Sequence, residues 1–230
     1  AVKKLVFDDK LLTFSELKKA LQNDWKGYEK IRLISRHDRN KYGNNLEGPD
    51  ALMCAIINHL AGMIVGRKNA RGGVYRLGCD SIHICTIQGK KTGATPDGRN
   101  AHEPVSKNLC AVSGMERNGV TAFMQSILKL DHDSLLGSEP LDYLIHPSAV
   151  QGTAGLKAMN AMFRTYFAAG GIALQGNILN AERLLEAQEN PQKYQDLQVR
   201  LCGWNAYFID LTAVQQNEFI IQTQGMRKAL

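Results

Sequence analysis

The chain alternates capped helical stretches with short, isolated runs of strand character, and this alternation limits its fold more than any other feature. Thr13-Phe14-Ser15-Glu16 has the form of a capping box and predicts a helix to about Asn23. Asp50 reads as the N-cap of a helix through about Val65. Gly152 to Ala169 is helical by pattern and ends at Gly170-Gly171. Asn180 opens a helix to about Glu189, stopped by Pro191, and Thr212-Ala213-Val214-Gln215 opens another to about Gln222. Thr121 to Leu130 leaves helix and loop both open. Ser81 to Ile87, Ile172 to Ile178 and Leu197 to Leu201 read as strands. Helices interleaved with single strands indicate an α/β fold.

With 230 residues, 44% of them hydrophobic, the chain has enough apolar mass for one domain or two closely packed ones. The stretch from Gly89 to Ser113 is long and irregular around a Pro96-Asp97-Gly98 turn. A loop of that length is functional or packed against a partner. The formal charge of +6 permits a nucleic-acid partner. The basic clusters, Arg36/Arg39/Lys41 and Arg67/Lys68/Arg71, lack aromatic interleaving or a nucleic-acid motif, so solvated faces are expected instead. No apolar run is long enough to span a membrane, and no signal peptide is read. Five cysteines without metal-like spacing read as reduced thiols, and a cytoplasmic location is the expectation. The six histidines are scattered, so no metal is expected.

The most specific local feature is Val199-Arg200-Leu201-Cys202-Gly203-Trp204-Asn205-Ala206-Tyr207-Phe208, where a glycine follows a short strand and precedes a helix start. By spacing alone Gly203 is a plain turn glycine. The segment closely resembles the signature loop of the glycyl radical enzymes, of the pyruvate formate-lyase/glycerol dehydratase-like group. In that family the glycine loses a Cα hydrogen and stores an unpaired electron, delocalised into both flanking amides. A Cβ would oppose the required planarity, and glycine has none.

The resemblance runs along most of the chain. It includes Phe7-Asp8-Asp9-Lys10 through Trp25-Lys26-Gly27-Tyr28-Glu29, Lys41-Tyr42-Gly43-Asn44, and Gly93-Ala94-Thr95-Pro96-Asp97-Gly98-Arg99. Asn118-Gly119-Val120-Thr121-Ala122, Leu174-Gln175-Gly176-Asn177 and Glu186-Ala187-Gln188-Glu189-Asn190-Pro191 follow in family order. Four departures bear on the substrate. Cys202 replaces alanine or serine, Trp204-Asn205 replaces Tyr-Ser, Gly176 replaces an aromatic, and Gln222 stands where several dehydratase-like members have arginine.

The resemblance implies the C-terminal part of a ten-stranded α/β barrel. Residues 1–115 belong to the barrel region and 116–230 form the glycine radical domain. It implies Gly203 as the radical store, with Arg200, Cys202, Trp204 and Asn205 as its loop neighbours. Gln175 and Asn177 share one strand face and are expected on the substrate side, as are Pro147 and Ser148 at a strand end. The Cys202 thiol is either a hydrogen donor beside the glycine or a buried small residue. Trp204, Tyr207 and Phe208 are expected to shield a buried Gly203 from dioxygen, and Arg200 to meet a carboxylate. The implied partners are an upstream cysteine-bearing part of the enzyme and an S-adenosylmethionine-dependent iron–sulfur activating enzyme. A small-molecule substrate is also implied. The substrate, the bond broken and a homodimeric state are left open. A piece of a longer polypeptide, a radical-carrier subunit of a split enzyme and a degenerate interaction domain are all compatible with these residues. A stand-alone subunit that replaces an oxygen-damaged C-terminus is a further reading, against which the long match argues, and the Ala1 start favours a cut or trimmed chain.

Overall fold

The computed structural model describes residues 1–81, 84–201 and 203–227. In chain order the helices are α1 (Phe14–Gln22), α2 (Glu29–His37), α3 (Glu47–Ile64), α4 (Cys85–Lys90), α5 (Gly119–Ile127), α6 (Gly152–Ala168), α7 (Ala181–Glu189) and α8 (Ala213–Arg227). The strands are β1 (Pro140–Ile145), β2 (Ala173–Ile178), β3 (Gln198–Leu201) and β4 (Trp204–Tyr207). Contacts divide the chain into two compact units, residues 1–41 with 84–105, and 42–83 with 106–230.

In the first unit the expected capping box forms. The Glu16 N–H donates to Thr13 Oγ1 at 3.2 Å, and the Thr13 N–H donates to Glu16 Oε2 at 2.8 Å. Leu5, Leu12, Leu17, Ala20 and Trp25 make the core. The long irregular segment is packed within this unit as far as Val105, and residues 106–113 belong to the second unit. Ser35 Oγ donates to the Pro96 carbonyl at 2.6 Å and Arg32 Nη1 to the Gly98 carbonyl at 3.1 Å. Arg99, buried to 2% exposure, donates to the Gly93 and Glu103 carbonyls and to Thr95 Oγ1. Gly98 has φ +90°, and its Cα lies so near α2 that an added Cβ would sit 2.8 Å from the Arg32 carbonyl oxygen.

The strand expected over Ser81 to Ile87 is not there. Cys85–Lys90 is α4, and Ile82 and His83 lie outside the described residues. Alternation over so few residues cannot specify a strand without a pairing partner. The Val105 N–H instead donates to the Cys85 carbonyl at 3.2 Å, and Gly89 lets the Glu103-Pro104 backbone pass closely.

The second unit is α/β. β1 and β2 pair in parallel, in register from Pro140↔Ala173 to Ile145↔Ile178, and α6 is the crossover between them. β3 and β4 form an antiparallel hairpin. One apolar cluster joins Ile57, Leu109, Phe123, Ile127, Leu141 and Tyr166; a second joins Leu144, Leu184, Val199, Leu201 and Phe208. α3 starts at Glu47, not after Asp50, with Leu46 at the N-cap position. Asp50 is fully buried in the first turn, where Oδ2 accepts from Ser126 Oγ at 3.0 Å and Lys129 Nζ at 2.7 Å. A buried carboxylate needs such partners, and here they outrank a capping role. Among the described residues no helix is long and apolar enough to cross a membrane.

Candidate functional site

Gly203 does not sit in a simple loop between strand and helix. It is the second residue of a two-residue connection between β3 and β4, flanked by the Leu201↔Trp204 pair. β4 escapes sequence reading because Trp204-Asn205-Ala206-Tyr207 carries no alternation of its own; β3 supplies its hydrogen bonds. Gly203 has φ +103°, a region side chains avoid, and an ideal Cβ there would meet no heavy atom within 4 Å. Cys202 lies outside the described residues.

The hairpin is two-faced. Val199 and Leu201 are buried with Phe208 in the second apolar cluster. On the other face Arg200 is paired with Asn205, and Arg200 Nη1 donates to Asn205 Oδ1 at 3.2 Å. Asn205 Nδ2 donates to Gln198 Oε1, also at 3.2 Å. Arg200 thus meets an amide across the hairpin, where a carboxylate was expected. The expected shield is mostly missing from this chain. Gly203 is exposed, as are Trp204 at 42% and Tyr207 at 45%, and only Phe208 is buried.

Gln175 and Asn177 lie on one face of β2 and both reach the hairpin. Asn177 Oδ1 accepts from the Arg200 N–H at 2.7 Å, and Asn177 Nδ2 donates to the Arg200 carbonyl at 3.0 Å. Gln175 Oε1 accepts from the Gly203 N–H. The fold therefore brings together Gly203, Arg200, Asn205, Gln175 and Asn177. Pro147 and Ser148 are not part of that constellation. They begin a short 3-10 turn after β1, where the Ser148 N–H donates to His146 Nδ1 at 3.3 Å.

Gly176 points the other way. Its registered neighbour is Tyr143, whose ring lies where a side chain at 176 would begin, with the hydroxyl oxygen 2.1 Å from the ideal Cβ position. The Tyr143 ring also meets Phe163 of α6 edge-on, with centroids 5.8 Å apart. Side chains alternate along a strand, so residue 176 faces α6 and not the hairpin. Its departure from an aromatic is a packing change on the face away from Gly203.

A small cleft, open to solvent, adjoins the hairpin side of β1 and β2; its walls include Lys107, Glu116, Asp142, Asn177 and Gln222. Burial pushes the Glu116 carboxyl up to about 7. Burial also raises Asp142, against the opposing pull of Lys107 and a hydrogen bond from Asn108. Sequence reading missed both carboxyls. The available signal was Asp142, an acid inside the apolar run Leu141-Asp142-Tyr143-Leu144-Ile145.

Gly203 is thus a hairpin-tip glycine exposed at φ +103°, its amide held by a side chain of the neighbouring strand. Comparison with known proteins gives the class. A family model described as "Glycine radical" matches residues 105–209, and one described as "Pyruvate formate lyase-like" matches residues 1–89. The chain belongs to the glycyl radical enzymes, in their pyruvate formate lyase-like group. It is 37% identical over 97% of its length to trans-4-hydroxy-L-proline dehydratase of Clostridioides difficile, and covers 28% of that protein. It is 33% identical over 97% of its length to isethionate sulfite-lyase of Bilophila wadsworthia, covering 27% of it. The glycerol-bound structure of the B12-independent glycerol dehydratase from Clostridium butyricum superposes with a TM-score of 0.88 at 37% identity. That match takes in 96% of this chain and 28% of the dehydratase. The chain thus spans little more than a quarter of the length of the relatives it matches.

Proposed function

We propose that this chain is the radical-bearing part of an anaerobic glycyl radical lyase or dehydratase, and that Gly203 stores the radical. The observation that carries the reading is Gly203 itself, an exposed glycine at a hairpin tip inside the segment matched by the glycine radical model. Removing a Cα hydrogen leaves a planar carbon conjugated with both peptide planes, so the absence of a Cβ lowers the energy of the product. Hydrogen abstraction falls to a separate S-adenosylmethionine and iron–sulfur activating enzyme, which must reach the tip.

Residues 116–230 serve as the glycine radical domain, and β1 and β2 contribute to a ten-stranded barrel. The glycyl site takes a hydrogen atom from a cysteine thiol outside this chain, and that cysteine reacts with a small-molecule substrate. Arg200 and Asn205 brace the two strands of the hairpin, and the cleft beside Gln175 and Asn177 faces the reacting space. Pro147 and Ser148, after the end of β1, act on the substrate side. The rest of the barrel covers Gly203, which this chain leaves exposed. The enzyme works in the cytoplasm, and a homodimer is compatible with the reading.

The test is anaerobic electron paramagnetic resonance of the full-length enzyme after treatment with its activating enzyme. A glycyl doublet that disappears in Gly203→Ala is the expected result. A folded enzyme that gives no doublet, with an activating enzyme competent on another member of the family, overturns the proposal.

A further inference from the structure

Resting on the reading of Gly203 as the radical site, we propose that Gln175 and Asn177 are positioning residues. They form a neutral latch that sets how often the hairpin tip is docked and how often it is released to the activating enzyme.

The latch follows from the hydrogen bonding of the hairpin edge. In an antiparallel pair closed by a two-residue turn, the residues flanking the turn bond each other, and the next pair points its backbone groups outward. Leu201 and Trp204 flank the turn, so the Arg200 N–H and carbonyl face away from β4. An unpaired edge of this kind needs partners. The Asn177 side-chain amide supplies both, accepting from the Arg200 N–H at 2.7 Å and donating to its carbonyl at 3.0 Å. One side chain thus behaves as a short added strand. Two residues earlier on the same face of β2, Gln175 Oε1 takes the Gly203 N–H. That amide is one of the two that flank Cα, so Gln175 fixes one of the planes into which the unpaired electron would spread.

The inner face of β3, Val199 and Leu201, is buried in an apolar cluster, whereas Gly203 and Trp204 are exposed in this chain. That face is held by apolar burial. The backbone of Arg200 and Gly203 is held by side-chain amides, which break one at a time and do not titrate. Gln175 and Asn177 are both half-buried on β2, placed to keep hold of the hairpin without locking it in.

Amide hydrogen exchange and anaerobic electron paramagnetic resonance of the full-length enzyme test the latch together. In resting enzyme, Gln175→Leu should speed exchange of the Gly203 amide, and Asn177→Leu that of Arg200, at least about tenfold. Exchange in β1 and β2 should be unchanged, which certifies the fold. Gln175→Glu keeps an acceptor for the Gly203 N–H and should exchange like the wild type. With activating enzyme, both Leu variants should gain radical several-fold faster and lose it several-fold faster in air. Their kcat per radical should be lower, with KM nearly constant. Wild-type exchange in Gln175→Leu, or Gln175→Glu behaving like Gln175→Leu, overturns the latch whatever the radical does. Absence of a doublet in the wild type instead overturns the assignment of Gly203. The exchange data then still decide whether Gln175 and Asn177 hold the tip.

Discussion

A Cβ built on Gly98 would lie 2.8 Å from the Arg32 carbonyl oxygen and 2.8 Å from the Arg36 Cβ, whereas one built on Gly203 would meet no heavy atom within 4 Å. Both glycines hold positive φ, +90° and +103° respectively. Gly98 is required by packing, because α2 runs against the turn and Ser35, Arg32 and Lys41 donate to its carbonyls. Gly203 has room, so steric crowding within this chain does not explain it. What remains is backbone conformation and the chemistry of its Cα. The same residue type thus marks a structural joint in one unit and, on the proposed reading, a radical site in the other.

The sharpest way to break this contrast is Gly203→Ala. It should remove the glycyl doublet and all turnover while costing only about 1–3 kcal/mol of stability from positive φ. Denaturation midpoints beside the resonance spectrum read both effects; a variant that unfolds would place Gly203 with Gly98. Gly98→Ala should show the reverse. Strain and overlap together should cost about 2–4 kcal/mol, and whatever enzyme folds should still take up the radical.

Gly176 is a third case, a glycine whose space is taken by a neighbour's ring. Gly176→Phe alone should cost about 1–3 kcal/mol by overpacking against Tyr143. Combining it with Tyr143→Gly should recover most of that loss, a coupling readable in a double-mutant cycle. Additive costs would show that the two positions do not share one volume.

The smallest contrast is between the neutral latch and the ionisable cleft next to it. The Glu116 carboxyl is raised from 4.5 to about 7, so its stabilising contribution is full below pH 4.5 and is lost as pH rises through 7. Glu116→Gln should flatten that loss, gaining roughly 1–2 kcal/mol on wild type between pH 5 and pH 8. Denaturant midpoints at the two pH values check it. Radical uptake should keep its pH dependence in Gln175→Leu, since an amide carries no proton to lose.

Local chemistry in the sequence foretold the parts of the fold that depend on a few adjacent residues. Thr13 and Glu16 close their capping box, Asn180 accepts from the Arg183 N–H, and Thr212 pairs with Gln215. Elements that depend on distant partners were hidden. β4 exists because β3 lies beside it, α4 is held by Val105, and Asp50 is fixed by residues about eighty positions away. At the site, Gly203 and the shared face of Gln175 and Asn177 were legible from resemblance and strand periodicity. That these two amides would grip the hairpin backbone was not, because hydrogen bonds to main chain leave no pattern in residue types. Glu116 was invisible for a related reason: nothing in Gly114-Met115-Glu116-Arg117 distinguishes a carboxyl at a cleft wall from one in water.

The Tyr143 ring over Gly176 has a consequence for how relatives of this chain should be compared. Set side by side column by column, a glycine at 176 looks like a lost aromatic and invites a story about altered chemistry. In space the layer beneath Phe163 is full here: the Tyr143 ring on the adjacent strand occupies it. The two columns should drift together through the family's history, each tolerating a small residue only where the other carries a large one. On that expectation the unit to compare is a volume between sheet and helix, which in this chain β1 supplies.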